Sequence, residues 1–212
     1  MDIMKNKDFR NIIIASVLTV FYAASASANL IVNGGFEDVP KTSLGGGGGW
    51  KYYNSNNVSG WAGSNIELWG THGIKSYEGA YHAELNAHGQ NTGEWSIAQT
   101  FSTIEGQSYD LFFAYGARLG NSNESNESFE FTVDGLSSVQ TEHVVGKWSE
   151  YTGRFVADGD TATLRFTSVF EDIYTYGNFI DDVKVSAVPE PRSLALLVLC
   201  LLGLRAVRRK VA

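Results

Sequence analysis

The chain has 212 residues, of which 43% are hydrophobic, and a formal net charge of −7. An acidic chain disfavours nucleic acid and anionic lipid as partners, because both repel negative protein surface. The only cysteine, Cys200, lies near the C-terminus, so disulfide and thiol chemistry are excluded from the rest of the chain.

The first 28 residues have the three parts of a secretory signal peptide. Lys5, Lys7 and Arg10 form a basic start, residues 12–24 form a short apolar run, and Ala26-Ser27-Ala28 supplies the small residues of a cleavage site. We predict a signal peptide over residues 1–28, cleaved after Ala28. The alternative is an uncleaved anchor, but the apolar run is shorter than the roughly 20 residues that a spanning helix needs.

Residues 29–187 have the composition of one β-rich domain. They contain twenty Asp and Glu against eight Lys and Arg, a net charge of −12, which favours divalent cations and neutral polymers as partners. Apolar residues alternate with polar ones over residues 95–101, 109–115, 129–133 and 163–167, and turn signals such as Asp134-Gly135 separate these runs. This pattern predicts an all-β antiparallel β-sandwich of about eight strands, with jelly-roll connectivity.

Two polar segments of this domain are predicted to be mobile surface loops. Residues 41–60 contain five consecutive glycines, and residues 121–128 contain only Asn, Ser and Glu. Residues 41–60 also contain the polar string Asn54-Ser55-Asn56-Asn57, and residues 121–128 have nothing to bury.

The last 25 residues, 188–212, have the features of the signal peptide in reverse order, because an apolar run comes before the basic residues. Pro189-Glu190-Pro191 is followed by the uncharged residues 193–204 and then by a basic end. The apolar run is a marginal membrane anchor, because twelve helical residues span only about 18 Å. Basic residues after it predict that the preceding domain lies outside the cytoplasm.

This tail resembles the PEP-CTERM sorting signal of Gram-negative bacteria that make exopolysaccharide. The resemblance rests on Pro189, Glu190 and Pro191, the apolar helix and the basic end, in that order. It implies recognition by exosortase, transient anchoring in the inner membrane, and removal of the tail near the Pro-Glu-Pro motif. The alternative is a plain tail anchor.

The middle of the chain resembles the galactose-binding-like jelly-roll superfamily, in its carbohydrate-binding-module type. The resemblance covers almost all of residues 29–187. Its motifs, in chain order, are Asn33-Gly34-Gly35-Phe36-Glu37, Ser59-Gly60-Trp61, Gly79-Ala80-Tyr81-His82-Ala83-Glu84-Leu85, Ile97-Ala98-Gln99, Gly106-Gln107-Ser108-Tyr109 and Phe179-Ile180-Asp181-Asp182-Val183.

In that superfamily the first and last strands are neighbours, and a structural calcium ion commonly lies beside them. By position, the resemblance implies calcium ligands from Glu37, Glu78, Asp181 and Asp182. Oxygen ligands in irregular geometry suit calcium. The alternative is that these are ordinary solvated carboxylates at a strand edge.

Sugar rings stack on aromatic side chains, while polar side chains bind their hydroxyl groups. Alternation along residues 80–86 places His82, Glu84 and Asn86 on one face of a strand, as a ligand-facing or a solvent-facing strand would show. Trp95 and Trp148 are expected to pack in the core, whereas Trp50 is expected at the surface. The predicted ligand-binding residues are Trp61, Trp69, Tyr81, Glu84, Asn86 and Arg118, although each tryptophan also fits a packing role.

The sequence between the two ends has no nucleophile elbow, no metalloprotease helix motif and no phosphate-binding loop. We therefore predict a non-catalytic, polysaccharide-binding protein at the cell surface or in the extracellular matrix. A structural matrix or adhesion protein is the first alternative, and a glycoside hydrolase is the second. His72, His82, His88 and His143 make a zinc site conceivable but disfavoured, because no Cys or helical His pair accompanies them.

Overall fold

The computed structural model describes residues 28–39, 49–70, 74–87, 95–117, 128–141, 145–169 and 177–189. Strands joined by turns make up this part of the chain, with one short 3-10 turn at Ser55–Asn57. The strands are β1 (Trp50–Tyr53), β2 (Ala62–Gly63), β3 (Ile66–Trp69), β4 (His82–Glu84), β5 (Ser96–Ser102), β6 (Ser108–Ala117), β7 (Phe129–Val133), β8 (Leu136–Gln140), β9 (Trp148–Val156), β10 (Thr161–Ser168) and β11 (Asn178–Ala187).

The strands form two antiparallel sheets. One sheet has six strands in the order β1-β3-β4-β11-β6-β9, and the other has five in the order β2-β5-β10-β7-β8. The predicted alternating runs correspond to β5, β6, β7 and β10. The prediction of an all-β antiparallel β-sandwich is confirmed, and jelly-roll connectivity stays a prediction.

The core lies between the sheets and is built from the inward side chains of alternating strands. Phe113 of β6 shows the packing, since its ring stacks on Tyr151 at 4.9 Å and meets Phe166 of β10 edge-on at 5.0 Å. Phe113 and Phe166 are fully buried, and each such side chain contributes about 1.5–3 kcal/mol to stability. The period of two along β6 and β10 therefore fixes which face of each strand packs inward.

The start of the domain forms a strap, residues 29–37, that lies along β11. The Leu30 amide donates to Val185 O at 2.8 Å, and the Val183 amide donates to Gly34 O at 3.0 Å. Gly34 is required here, because a Cβ at this position would overlap the carbonyl oxygen of Val183. The predicted neighbourhood of the first and last segments is thus present, with a β-bulge in β11 beside it, where Asp182 has a positive φ of 51°.

A buried glutamine ties the strap to the five-stranded sheet. Gln99 is the polar exception in the alternating run of β5, and it is 6% exposed. Its Oε1 accepts from the Val32 amide at 2.6 Å, and its Nε2 donates to Val32 O at 2.9 Å. Both polar atoms of the buried amide therefore take part in joining two parts of the fold.

The glycine-rich segment is more ordered than the sequence predicts. Residues 50–53 form β1 at the edge of the six-stranded sheet, and Tyr53 and Val58 are buried in the core. The prediction of a mobile loop over all of residues 41–60 is wrong for these positions, because the strand pairs with β3 in register from Trp50 to Tyr53. Residues 40–48 and 118–127 lie outside the described part of the chain.

The strands and both hydrophobic clusters of the described residues lie within one compact unit, Ala28–Val188. This segment therefore carries a core of its own. At its end the Val188 amide donates to Ser108 O at 2.9 Å. The predicted signal peptide and sorting tail fall almost wholly outside the described residues, and within those residues no helix has the length and hydrophobicity to cross a bilayer.

Candidate functional site

The outer face of the six-stranded sheet consists of the side chains that point away from the core. On β3, Leu68 lies in the core, so its neighbours Glu67 and Trp69 face outward. The same alternation turns His82 and Glu84 of β4 outward. Strand register places Trp69 opposite His82 and Glu67 opposite Glu84, so this face combines aromatic and acidic side chains in adjacent rows.

The two tryptophans predicted to stack on sugar are both buried. Trp61 is 3% exposed, its ring stacks on Phe36 at 5.2 Å, and its Nε1 donates to Asn33 O at 3.1 Å. Trp69 is 1% exposed and stacks on Trp50 at 6.0 Å. Stacking on a sugar needs an open ring face, so the burial of both rings does not fit the predicted role. Trp61 instead fastens the strap to the core.

The predicted polar ligands form a buried layer. Glu84 and Asn86 are both buried, and Glu84 Oε1 accepts from the Gly177 amide at 2.7 Å. Tyr81 is partly exposed, and Arg118 lies outside the described residues. The structure therefore does not bring the five described residues of this prediction, Trp61, Trp69, Tyr81, Glu84 and Asn86, together in one open groove.

His82 lies among aromatic rings on the outer face. Its Nδ1 is 3.0 Å from Ser76 Oγ, and its ring meets Phe179 at 4.5 Å and Trp148 at 5.4 Å, both edge-on. Burial lowers the pKa of His82 to about 3, because the charged imidazolium would be removed from water. The side chain is therefore neutral at physiological pH.

Glu37 joins the strap to the segment that precedes β4. Its Oε1 accepts from the amides of Ala80 and Tyr81 at 2.7 and 2.8 Å. Gly79 lies against this carboxylate with a φ of +58°, a conformation that favours glycine and leaves no space for a Cβ. Two backbone amides thus hold the Glu37 carboxylate against the segment before β4.

The other predicted calcium ligands lie close by. The Glu78 amide donates to Asp181 Oδ2 at 3.0 Å, and Glu78 Oε2 is 2.7 Å from the position that a Cβ on Gly35 would take. Asp182 differs, because its Oδ2 pairs with Lys184 Nζ at 2.7 Å. We call Glu37, Glu78 and Asp181 the acidic cluster.

Burial raises the pKa of Asp181 to about 7, although hydrogen bonds from backbone amides act in the opposite direction. The folded protein therefore holds a proton on Asp181 more tightly than the unfolded chain does. Its contribution to stability is present below the ordinary pKa of 3.8 and is lost as the pH rises towards 7.

The acidic cluster does not form a metal cage as it stands. Among the described residues, no three His, Cys, Asp or Glu side chains converge closely enough to hold a metal ion. The carboxylate oxygens of Glu37 and Asp181 instead face backbone amides. Calcium at these residues would need main-chain or solvent oxygens in addition, and it stays a prediction.

An open aromatic patch lies on the outer face near β9. Tyr77 is 38% exposed, and its ring centroid lies 6.1 Å from those of both Phe112 and Trp148. The Tyr77 hydroxyl donates to Glu150 Oε1 at 2.8 Å, which raises the pKa of the phenol. Lys184 Nζ lies 5.5 Å from the Phe112 ring centroid. Here partly exposed rings stand beside charged hydrogen-bonding groups.

Sequence reasoning missed this patch. The alternating pattern predicts packing for Trp148, which its contact with Phe179 partly supports, and Tyr77 lies in a turn without a distinctive motif. Phe112 carries a usable signal, because it is a large aromatic residue on the side of β6 that faces away from the core, two residues after Asp110.

Several solved carbohydrate-binding modules are similar to this chain in structure. A family 35 module from Clostridium thermocellum is 19% identical, with a TM-score of 0.42, and the match covers 64% of this chain and 96% of the module. TmCBM61, solved in complex with β-1,4-galactotriose, is 13% identical with a TM-score of 0.49, covering 76% and 100%. The CBM22-1 xylan-binding domain from Paenibacillus barcinonensis Xyn10C is 16% identical with a TM-score of 0.44, covering 80% and 100%.

Identities and TM-scores in this range do not transfer a ligand to this chain. Among curated proteins, none matches the sequence. One family model matches most of the chain, over residues 29–186, and the chain therefore belongs to the family described as "Protein of unknown function (DUF642)".

Proposed function

We propose that the domain binds polysaccharide outside the cell, at the cell surface or in the extracellular matrix, without catalysing a reaction. The aromatic patch of Tyr77, Phe112 and Trp148 is the observation that carries this proposal. Its rings are large enough to stack on the apolar face of a sugar ring. The net charge of −12 over residues 29–187, from twenty acidic and eight basic residues, favours a neutral polymer over an acidic one.

The patch supplies both parts of a sugar-binding surface. Tyr77 and Phe112 offer ring area, and Glu150 and Lys184 offer an acceptor and a donor for hydroxyl groups. The side chain of Lys184 is 52% exposed, so it can exchange contacts with water for contacts with a ligand. Binding on such an open face is expected to be weak for one sugar and stronger for a polymer that covers the whole patch.

Affinity gel electrophoresis of residues 29–188 through neutral polysaccharides tests the proposal. The wild-type domain should be retarded by at least one polymer, and Tyr77→Ala should weaken binding about tenfold. Tyr52→Ala is the matched control, because Tyr52 is also an exposed tyrosine, at 47%, but lies in β1 at the far edge of the sheet. Equal binding by Tyr77→Ala and wild type would show that the aromatic patch is not the binding site. If no polymer retards the wild-type domain, the proposal of polysaccharide binding is rejected.

The sorting tail gives this function a place outside the cell. Export through the signal peptide, transient anchoring by residues 188–212 and tail removal by exosortase form one processing route. Replacing Pro189, Glu190 and Pro191 with alanine should leave the tail attached and the protein in the membrane fraction of the host. Mass spectrometry of the host-exported protein measures the retained tail, and unchanged processing would reject this route.

We propose calcium as a structural partner of the acidic cluster. Hydrogen bonds from the backbone of residues 78–81 to Glu37 and Asp181 join the strap, the segment before β4 and β11, and a cation would hold these parts together. Asp182 would have to exchange its ion pair with Lys184 for the metal.

A structural matrix or adhesion protein is the second candidate. The burial of Trp61 and Trp69 favours this candidate, because the two tryptophans that the sequence predicts to bind sugar instead pack inside the domain. Deleting the gene distinguishes the two functions. Loose, dispersing cells together with unchanged polymer binding by wild-type and Tyr77→Ala domains would support the structural role.

A further inference from the structure

β9 is a long open edge of the six-stranded sheet. It runs for nine residues, Trp148–Val156, and within the described residues it pairs only with β6. The other edge strands are shorter, with four residues in β1, two in β2 and five in β8. Unpaired backbone groups along such an edge can pair with another strand.

The outward side chains of β9 form a self-complementary series. In chain order they are Trp148, Glu150, Thr152, Arg154 and Val156, that is, apolar, acidic, neutral, basic and apolar. Glu150, Thr152 and Arg154 are exposed, and Val156 is 54% exposed. In a second copy of β9 that runs antiparallel to the first, the acidic residue therefore falls opposite the basic residue of the first copy.

We propose that two copies of the domain pair through β9, antiparallel and with the two-fold axis at Thr152. Glu150 of each copy then lies opposite Arg154 of the second copy, and Trp148 lies opposite Val156. Opposite charges directly across an antiparallel pair are stabilising, and like charges are destabilising. A register shifted by two residues along one strand would lose this complementarity.

The neighbouring strand extends the charge pattern. Arg154 Nε already pairs with Asp110 Oδ1 of β6 at 2.7 Å, and both side chains are largely exposed. In the dimer each Arg154 lies between Asp110 of its own copy and Glu150 of the second copy. The planar guanidinium has enough donors for both carboxylates.

The inward side chains of β9 also accommodate the pairing. The Tyr151 ring lies over Gly153 of the same strand, with its hydroxyl 2.5 Å from the position that a Cβ on Gly153 would take. About the proposed axis, Tyr151 lies opposite Gly153 of the second copy. In this register a large side chain therefore lies opposite a small one at the inward positions, since Ser149 likewise lies opposite Phe155 of the second copy.

Charge reversal in residues 29–188 tests the pairing. Light scattering after gel filtration should show a dimer that dissociates on dilution. Glu150→Arg and Arg154→Glu should each weaken dimerisation about tenfold, because each puts like charges opposite each other at two symmetric positions. An equal mixture of the two variants should recover the dimer, since each supplies the charge that the other lacks.

Glu105→Arg is the matched control, with the same charge change in the exposed turn after β5, and it should dimerise like wild type. Melting curves verify that each variant is folded. A wild-type domain that stays monomeric at all concentrations would overturn the proposal. So would a mixture that associates no more tightly than its two components.

Discussion

Gly34 is the point of closest approach between the strap and β11, and its replacement with alanine tests how the strap is held. A Cβ at this position would overlap Val183 O and would lie 3.0 Å from Val183 C and 3.2 Å from Ile31 Cγ2. The obstacle is backbone, so the strap or β11 has to move. Such a displacement costs about 1–3 kcal/mol, and loss of the hydrogen bond from the Val183 amide adds about 1 kcal/mol. We expect Gly34→Ala to lower the free energy of unfolding by about 2–4 kcal/mol.

The adjacent glycine provides the control. A Cβ on Gly35 would meet Glu78 Oε2 at 2.7 Å, which is the end of a flexible side chain that can turn away. Gly35→Ala should therefore cost less than about 1 kcal/mol. Urea unfolding of residues 29–188 measures the free energies, and the melting temperature of Gly34→Ala should fall by about 6–12 °C. Equal unfolding midpoints for the two variants would refute the close-approach argument.

Three other variants test separate parts of the fold. Below pH 6.5 His82 becomes protonated in the unfolded chain but stays neutral in the folded domain. The free energy of unfolding should therefore fall by about 1.4 kcal/mol per pH unit as the pH is lowered to about 3. The difference in unfolding free energy between wild type and His82→Gln, measured against pH, isolates this slope, because Asp181 contributes equally to both proteins. A difference that does not change with pH would contradict the prediction. Trp61→Phe keeps a ring in the core but removes the indole donor to Asn33 O, which keeps its hydrogen bond from the Phe36 amide. Urea unfolding should show a loss of about 1–2 kcal/mol, and an unchanged unfolding free energy would contradict the role of the indole contact. If calcium binds the acidic cluster, chelator should lower the melting temperature of wild type but not of Glu37→Gln, and an unchanged wild-type curve would count against the site.

Periodicity in the sequence predicted the sheets well where both faces of a strand differ in polarity. β6, β7 and β10 have a clear apolar side, so their burial follows from alternation alone. β1 was missed because it has only four residues, follows a run of glycines and is exposed at its first three positions. A short edge strand gains its structure from its partner, here β3, and its own composition carries little of that information.

The candidate site was harder to predict, because burial of the outer face depends on the path of the chain over it. Glu84 shares the outward side of β4 with His82, as alternation predicts, yet both are buried. Tyr77 reaches the sheet from the segment before β4 and meets Phe112 and Trp148 from two other strands. Contacts between residues so far apart in sequence leave no local pattern. The acidic cluster was more accessible to prediction, because the family resemblance placed the first and last segments side by side.

The position of β11 also determines how the domain responds to mechanical load. β11 lies inside the six-stranded sheet, between β4 and β6, with the strap beside it, and it is the last strand before Val188. A pull on residue 188 that is directed along the axis of this strand would load its hydrogen bonds to β4, β6 and the strap in shear, so that they share the force and do not open one after another. Resistance to forced unfolding depends on the unfolding rate, which such shared loading keeps slow. A domain held by its C-terminal end while its outer face grips a polymer would therefore bear tension on its best-supported strand.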